Sequence, residues 1–302
     1  MKERLNKVVD RSALLLEKNK EPEAAVSEKR ASFPNEADSS ADSGPVTKTN
    51  KKSVKKRSHG KLVLIIIVVV ILLLLTAFKI YVDNSYQPAY PMETYQALTA
   101  YEIESSDNVI AIQNPQAIER KDAVGFIIYG DERVQRECYL PLMISLADQG
   151  YCAYLPTTFG NLPVLNQEGA EYVIRTYKSV HTWYIIAHGK ACPPAARYAK
   201  THSSKINGLI YLGGASYQTN LSNLDLSLLS IIGSNDTVLD KNRAETAKVN
   251  DPVRSEYITL EGGNHTGFLD TALMRGDTAS SLSAAEQIEQ TVSAISSFVQ
   301  QP

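Results

Sequence analysis

Two side chains suited to acid–base chemistry follow apolar runs in the C-terminal third of the chain. Asp236 ends the sequence Gly-Ser-Asn-Asp after one run, and His265 ends Glu-Gly-Gly-Asn-His after another. A carboxylate that binds an imidazole fixes the ring tautomer and stabilises the imidazolium form. Because ligands bind where the strands of an open α/β sheet end, we expect Asp236 and His265 to lie together as acid and general base.

A third strand end precedes these two in the chain. Residues 185–191 read Ile-Ile-Ala-His-Gly-Lys-Ala, which predicts a sharp junction between a strand and a helix. The order of junction, acid and histidine is the order used by α/β-hydrolases. From about residue 123 to 300 the chain resembles small bacterial members of that family that lack a separate lid domain. The sequence Gly-Asp-Thr at 276–278, before the closing helix, belongs to the same resemblance.

The resemblance implies a nucleophilic serine at the junction, in the pattern G-x-S-x-G. Residues 187–191 read Ala-His-Gly-Lys-Ala instead, so Gly189 stands at the nucleophile position. Glycine tolerates a strained turn, but it has no oxygen with which to attack a carbonyl group. We therefore expect the turn to persist without its usual nucleophile.

The oxyanion site also departs from the family. Gly130 and the amide of Lys190 are the candidate donors that the resemblance implies. Gly130 is followed by Asp131 and Glu132 rather than by further glycines. A carboxylate close to the donors would disfavour a developing oxyanion, unless these side chains point to solvent.

Three alternatives to the serine stay open. Cys192 lies about one helical turn after Gly189 and would need His265 within hydrogen-bond reach. Ser216 also follows a strand, where loop hydrogen bonding is the simpler interpretation. Asp236 and His265 could instead activate water directly. His188 is more simply explained as a structural residue.

We expect no metal and no cofactor, because the sequence contains neither H-E-x-x-H, nor paired Cys/His spacing, nor a phosphate-binding glycine loop. The net charge of −2 gives no indication of nucleic-acid binding. The three cysteines are too few for a disulfide framework. Free buried thiols are the simplest expectation, and a Cys138–Cys152 bridge is the alternative outside the cytoplasm.

The chain after about residue 108 alternates short β-branched runs with helical patterns. This alternation predicts a doubly wound, mostly parallel α/β sheet covered on both faces. The predicted strands are 109–112, 125–129, 151–155, 183–187, 208–212, 228–232 and 256–260, and the predicted helices are 134–149, 166–177, 195–200, 239–249 and 283–300.

An apolar run over 62–78, continued past Lys79 to residue 82, is long enough to span a bilayer. We interpret 61–82 as an uncleaved signal anchor. A cluster of Lys and Arg residues precedes it, so the positive-inside rule predicts a cytoplasmic N-terminus. The predicted domains are a largely disordered segment 1–60, the helix 61–82, a stalk 83–107 and an extracytoplasmic domain 108–302, in an arrangement that suggests a bacterium.

Two functions fit these features. The first is a degenerate hydrolase relative with weak or no serine-hydrolase activity, which binds a small-molecule ligand or a partner in the old pocket. The second is an active extracytoplasmic hydrolase of ester-type bonds that uses Asp236 and His265 with another nucleophile or with water. The missing serine at Gly189 favours the first.

Overall fold

The computed structural model describes residues 59–301 of the 302-residue chain, so residues 1–58 of the predicted disordered segment lie outside the described residues. The strands are β1 (Ile103–Ser105), β2 (Val109–Ile112), β3 (Val124–Tyr129), β4 (Cys152–Pro156), β5 (Thr182–His188), β6 (Gly208–Leu212), β7 (Ser227–Gly233) and β8 (Arg254–Leu260). The α-helices are α1 (His59–Asp83), α2 (Met92–Leu98), α3 (Pro115–Ile118), α4 (Leu140–Asp148), α5 (Gly169–Thr176), α6 (Cys192–Thr201), α7 (Lys241–Ala247) and α8 (Ala284–Val299).

One eight-stranded sheet organises the domain, in the order β1-β2-β4-β3-β5-β6-β7-β8. The strands from β4 to β8 in that order pair in parallel, and β1 and β2 add an antiparallel edge. Successive side chains of a strand point to opposite faces. Phe126 and Ile128 of β3 accordingly pack with α4 and α8, whereas Ile127 and Tyr129 pack with α5 and α6. The predicted doubly wound α/β fold is confirmed.

Proline placement explains where two of the helices begin. The helix predicted from 134 begins at Leu140, after a 3₁₀ turn over Arg136–Tyr139, and has a proline in its first turn. The helix predicted from 195 begins at Cys192, and Pro193 and Pro194 occupy its first turn. Proline suits this position because the first turn leaves backbone N–H groups without helical partners.

Most of the segment predicted as a stalk packs on the domain. Tyr95 of α2 is fully buried, and its hydroxyl donates to Asp270 Oδ2 at 2.6 Å. Ile103 of β1 belongs to the core and pairs with Ile112 of β2. The tyrosines of this segment combine an apolar ring with a polar tip, and such side chains are buried where the hydroxyl finds a partner.

The helix α1 differs from all the others in its exposure. The most apolar 18-residue window of Gly60–Asp83 has a mean hydropathy of 3.2, and none of that window is buried against the rest of the protein. It is the one helix among the described residues that is long and apolar enough to cross a membrane. The three cysteines, in contrast, are all buried and free, so Cys138 and Cys152 form no bridge.

Candidate active site

The loop after β7 holds Asp236 at the carboxyl edge of the sheet. Asp236 Oδ1 accepts hydrogen bonds from the amides of Val238 and Leu239, at 2.9 and 2.8 Å. Its Oδ2 atom lies 2.9 Å from Nδ1 of His265. The structure therefore brings together the two residues that the sequence proposes as acid and base.

The loop after β8 holds His265 from the other side. Gln287 of α8 accepts from the amide of Asn264 at 3.0 Å and donates to its carbonyl at 2.7 Å. These paired bonds fix the backbone immediately before His265, whose side chain is 1% exposed. The closing helix thus positions the histidine.

A second carboxylate, Asp131, lies on the opposite side of the imidazole. Asp131 Oδ2 is 3.2 Å from His265 Nε2. Its Oδ1 atom accepts from the amides of Lys190 and Glu132, at 2.8 and 2.7 Å. The side chain of Asp131 is 5% exposed, so it does not point to solvent. The signal that could have identified it is the same as for Asp236, an acid at the end of a parallel strand.

The two carboxylates set the charge of the ring between them. Burial alone would lower the pKa of His265, but its hydrogen bonds and charge interactions with Asp131 and Asp236 outweigh burial and raise it to about 9. Burial likewise opposes ionisation of both carboxyl groups, yet the bonds to His265 hold their pKa values below the ordinary range. At neutral pH the site is an imidazolium between two carboxylates.

Gly189 forms the turn from β5 into α6 with a φ of +52°. A Cβ atom at this position would lie 2.5 Å from Cγ and 2.8 Å from Oδ1 of Asp131. Glycine therefore supplies both the left-handed backbone and the space that the carboxylate fills. The next residue, Lys190, also forms a side-chain ion pair with Glu132.

His188 is a buried, neutral neighbour of the pair. Burial is the main cause that lowers its pKa to about 4. Its Nδ1 atom lies 3.0 Å from the hydroxyl of Tyr139, and its ring packs against that of His265, with centroids 4.5 Å apart and the planes tilted by 30°. The ring therefore packs against the imidazolium without sharing its charge, as expected of a structural residue.

Asp131, His188 and His265 each offer one metal-ligating atom, and these atoms lie within 4.8 Å of one another. A metal ion needs nitrogen lone pairs that converge on one point, in the plane of each ring. Here Nε2 of His265 already bonds Asp131 and its Nδ1 already bonds Asp236, so neither nitrogen of that ring is free to ligate an ion. The cluster fits an ion pair better than a metal centre.

The two candidate replacements for the serine, the Cys192 thiol and the Ser216 hydroxyl, form hydrogen bonds away from His265. The Cys192 thiol donates to the carbonyl of Ala187 at 3.3 Å, and burial raises its pKa well above the ordinary value. The Ser216 hydroxyl donates to Asp251 Oδ1 at 2.9 Å. Neither group is placed for activation by His265, because the thiol stays protonated and the two groups donate to Ala187 and Asp251 rather than to the imidazole.

An open cavity of about 420 Å³ lies beside Asp131 at the same edge of the sheet. Gly130, the other candidate oxyanion donor, lines it. Most of the remaining wall is polar, and it includes Asp107, Gln135, Arg136, Glu137, Thr157, Thr158 and Asn161.

The raised pKa of His265 predicts a stability loss at alkaline pH. The folded-state pKa of about 9 exceeds the ordinary 6.5, so the contribution is complete below about pH 6.5 and disappears as the pH rises through 9. We expect the free energy of unfolding of the full chain in micelles to fall by up to about 3 kcal/mol over that interval. Imidazole nitrogen NMR should show one ring titrating near 9.

The Asp131→Asn variant is the matched control for this titration. It removes one carboxylate and keeps the size of the side chain, so the pKa of His265 should fall and the alkaline loss of stability should shrink. A His265 ring that titrates at its ordinary value in the unsubstituted protein would contradict the ion pair.

The site can now be compared with known proteins. A sequence model described as the alpha/beta hydrolase family matches residues 125–289, more than half of the 302 residues. A search of curated protein sequences finds no match. Among solved structures, Est1E from Butyrivibrio proteoclasticus, in complex with ferulic acid, is 10% identical, with a TM-score of 0.48 over 64% of this chain and 96% of that one. MGS-MChE2, an alpha/beta hydrolase enzyme from a lagoon-sediment metagenome, is 11% identical, with a TM-score of 0.47 over 66% and 98%. On the family match, together with the mostly parallel sheet, this chain belongs to the alpha/beta hydrolase family.

Proposed function

We propose that this protein is a membrane-anchored, degenerate member of its family that has weak or no serine-hydrolase activity and binds a ligand beside the old site. Gly189 occupies the position of the family's nucleophilic serine in this proposal. Its left-handed turn between β5 and α6 supports that assignment, because the family places its serine on such a strained turn.

The observation that carries the proposal is the position of the Asp131 carboxylate. In serine hydrolases, the histidine Nε2 takes the proton of the nucleophile, and the amide after the nucleophile binds the oxyanion. Here Asp131 bonds both His265 Nε2 and the amide of Lys190. A substrate carbonyl would have to displace a buried carboxylate from an imidazolium, and a protonated His265 cannot accept a proton.

Gly189 and Asp131 are also sterically matched. Because a Cβ atom at residue 189 would overlap the Asp131 carboxyl group, a serine there and the observed Asp131 conformation are incompatible. Two changes therefore block the chemistry in this proposal, the loss of the nucleophile and the filling of the space in which it would act.

The alternative is an active hydrolase that uses Asp236 and His265 with water or with Cys192. The 2.9 Å bond between the acid and the histidine supports it. The imidazolium form of His265 and the buried, protonated Cys192 favour the degenerate site instead.

The ligand is a polar small molecule that occupies the 420 Å³ cavity beside Asp131. The volume lies within the usual range of small-molecule sites. Arg136 donates to the carbonyl of Ser106 at 2.9 Å and to Thr157 Oγ1 at 2.6 Å, which orders that wall of the cavity. A pre-ordered polar wall suits a ligand that forms several hydrogen bonds.

The membrane topology is part of the same proposal. The basic residues Lys55, Lys56 and Arg57 before α1, and Lys61 in its first turn, support a cytoplasmic N-terminus. Residues 1–60 would then be cytoplasmic and the hydrolase-like domain extracytoplasmic, as in a bacterial cell envelope protein.

Hydrolysis of short-chain nitrophenyl esters tests the loss of activity. We expect the full-length protein in micelles to show no more turnover than its His265→Ala variant. Turnover that disappears in His265→Ala would overturn the proposal, and Cys192→Ala would then identify or exclude the thiol as the nucleophile.

Restoring the serine tests the coupling of the two positions. Gly189→Ser alone should stay inactive because the new side chain meets Asp131, whereas Gly189→Ser with Asp131→Gly should gain ester hydrolysis of about 10²-fold over the unsubstituted protein. The gain should vanish when His265→Ala is added. A fully active Gly189→Ser single variant would show that Asp131 is no obstacle.

The cavity predicts a ligand-dependent rise in the melting temperature. A panel of small polar compounds should contain at least one that raises the Tm of the unsubstituted protein but leaves Gln135→Trp unchanged, because Gln135 lines the cavity and an indole there would fill it. Equal shifts in both proteins would place the ligand elsewhere.

Reporter fusions test the topology in bacterial cells. Alkaline phosphatase, which is active only outside the cytoplasm, should be active when fused after residue 301 and inactive when fused before residue 60. The reverse pattern would overturn the proposed orientation.

A further inference from the structure

The membrane helix ends against the same loops that build the site. The Tyr81 hydroxyl donates to Glu132 Oε1 at 2.6 Å, and the Arg133 guanidinium lies 5.2 Å from the centre of the Tyr81 ring. Just after the helix, the amide of Tyr86 donates to the carbonyl of Arg133 at 2.6 Å. The loop that carries Asp131 is thus attached to the end of α1.

A second site loop packs on the helix itself. The rings of Phe78 and Phe159 stack with centroids 5.6 Å apart and planes at 14°. Gly160 has a φ of +61°, and a Cβ atom there would lie 2.9 Å from Cζ of Phe78. Glycine therefore allows this close approach between the loop after β4 and the helix.

The position of Phe78 in the helix fixes the depth of the second loop. About 20 residues span the hydrocarbon core of a bilayer, so a span that begins near Gly60 extends to about residue 80 and includes Phe78. Tyr81 follows at the level where tyrosines bind the interface. Phe159, stacked on Phe78, lies at the depth of the lipid chains.

The loop continues with further apolar side chains that the protein leaves uncovered. Phe159 is 69% exposed, Val164 54% and Leu165 58%. Clustered apolar side chains of this size are typical of a surface that contacts a partner or a membrane. Phe159 at the start of this loop packs on a helix that is itself apolar on all sides, so lipid around the helix would also reach the loop.

We propose that residues 159–165, here called the apolar loop, insert into the bilayer beside α1 and hold the site edge of the sheet against the lipid headgroups. The inference rests on the proposal that α1 spans a membrane and is independent of whether the site is active. It places the cavity beside Asp131 at the membrane surface, where a lipid headgroup is the polar ligand within reach.

Tryptophan fluorescence of the full chain in phosphatidylcholine vesicles with brominated acyl chains tests this docking. The chain has one tryptophan, Trp183, which is buried near the opposite end of β5 and serves as the unquenched reference. Leu165→Trp should add emission that brominated lipid largely removes. Val253→Trp is the matched control, because Val253 is 88% exposed. It directly precedes β8, at the amino ends of the parallel strands and so opposite the site.

A third variant, Leu72→Trp, reports on the helix alone. Quenching at residues 72 and 165 but not at 253 is the expected result. Quenching at 72 without quenching at 165 would overturn the docking of the loop and leave the membrane span intact. Equal quenching at 165 and 253 would also overturn it, and no quenching at 72 would overturn both the span and the docking.

Discussion

A positive charge buried between two negative charges determines the arrangement of the site. His265 is almost completely buried, and a charged group in such an environment is stable only when it is paired and hydrogen-bonded. Asp131 and Asp236 pair with the imidazolium, and backbone amides donate further hydrogen bonds to both carboxylates. Four loops at one edge of the sheet must therefore keep fixed positions, and the parallel strands beneath them provide that rigidity.

The same interaction explains why the site has weak or no serine-hydrolase activity in our proposal. Two of the polar atoms that a serine hydrolase would use on a substrate, His265 Nε2 and the Lys190 amide, both bind Asp131 instead. Preorganised donors speed a reaction when they face the developing charge of a substrate. Here they face a permanent charge of the protein, so their effect is on stability.

Part of the site could be predicted from the sequence because its residues follow the ends of predicted strands. Asp236 and His265 follow runs that predict strands, and parallel strands bring their ends to one edge. Asp131 also follows a strand. Its side chain can point to His265 only because Gly189 leaves a space for it, and that space is apparent only in the folded turn. The burial of Tyr95 depends on Asp270, 175 residues away in the sequence, and local composition cannot indicate such a partner. The helix start at Leu140, in contrast, coincides with Pro141 in the first turn, which is a local signal that the sequence does carry.

The match between Gly189 and Asp131 has an evolutionary consequence. If the protein descends from a serine hydrolase, as we propose, one substitution cannot restore that activity. Serine at 189 alone collides with the carboxylate, and loss of Asp131 alone removes a partner of the imidazolium without supplying a nucleophile. In our proposal neither single change restores a working site, so the two residues together make the change of role difficult to reverse.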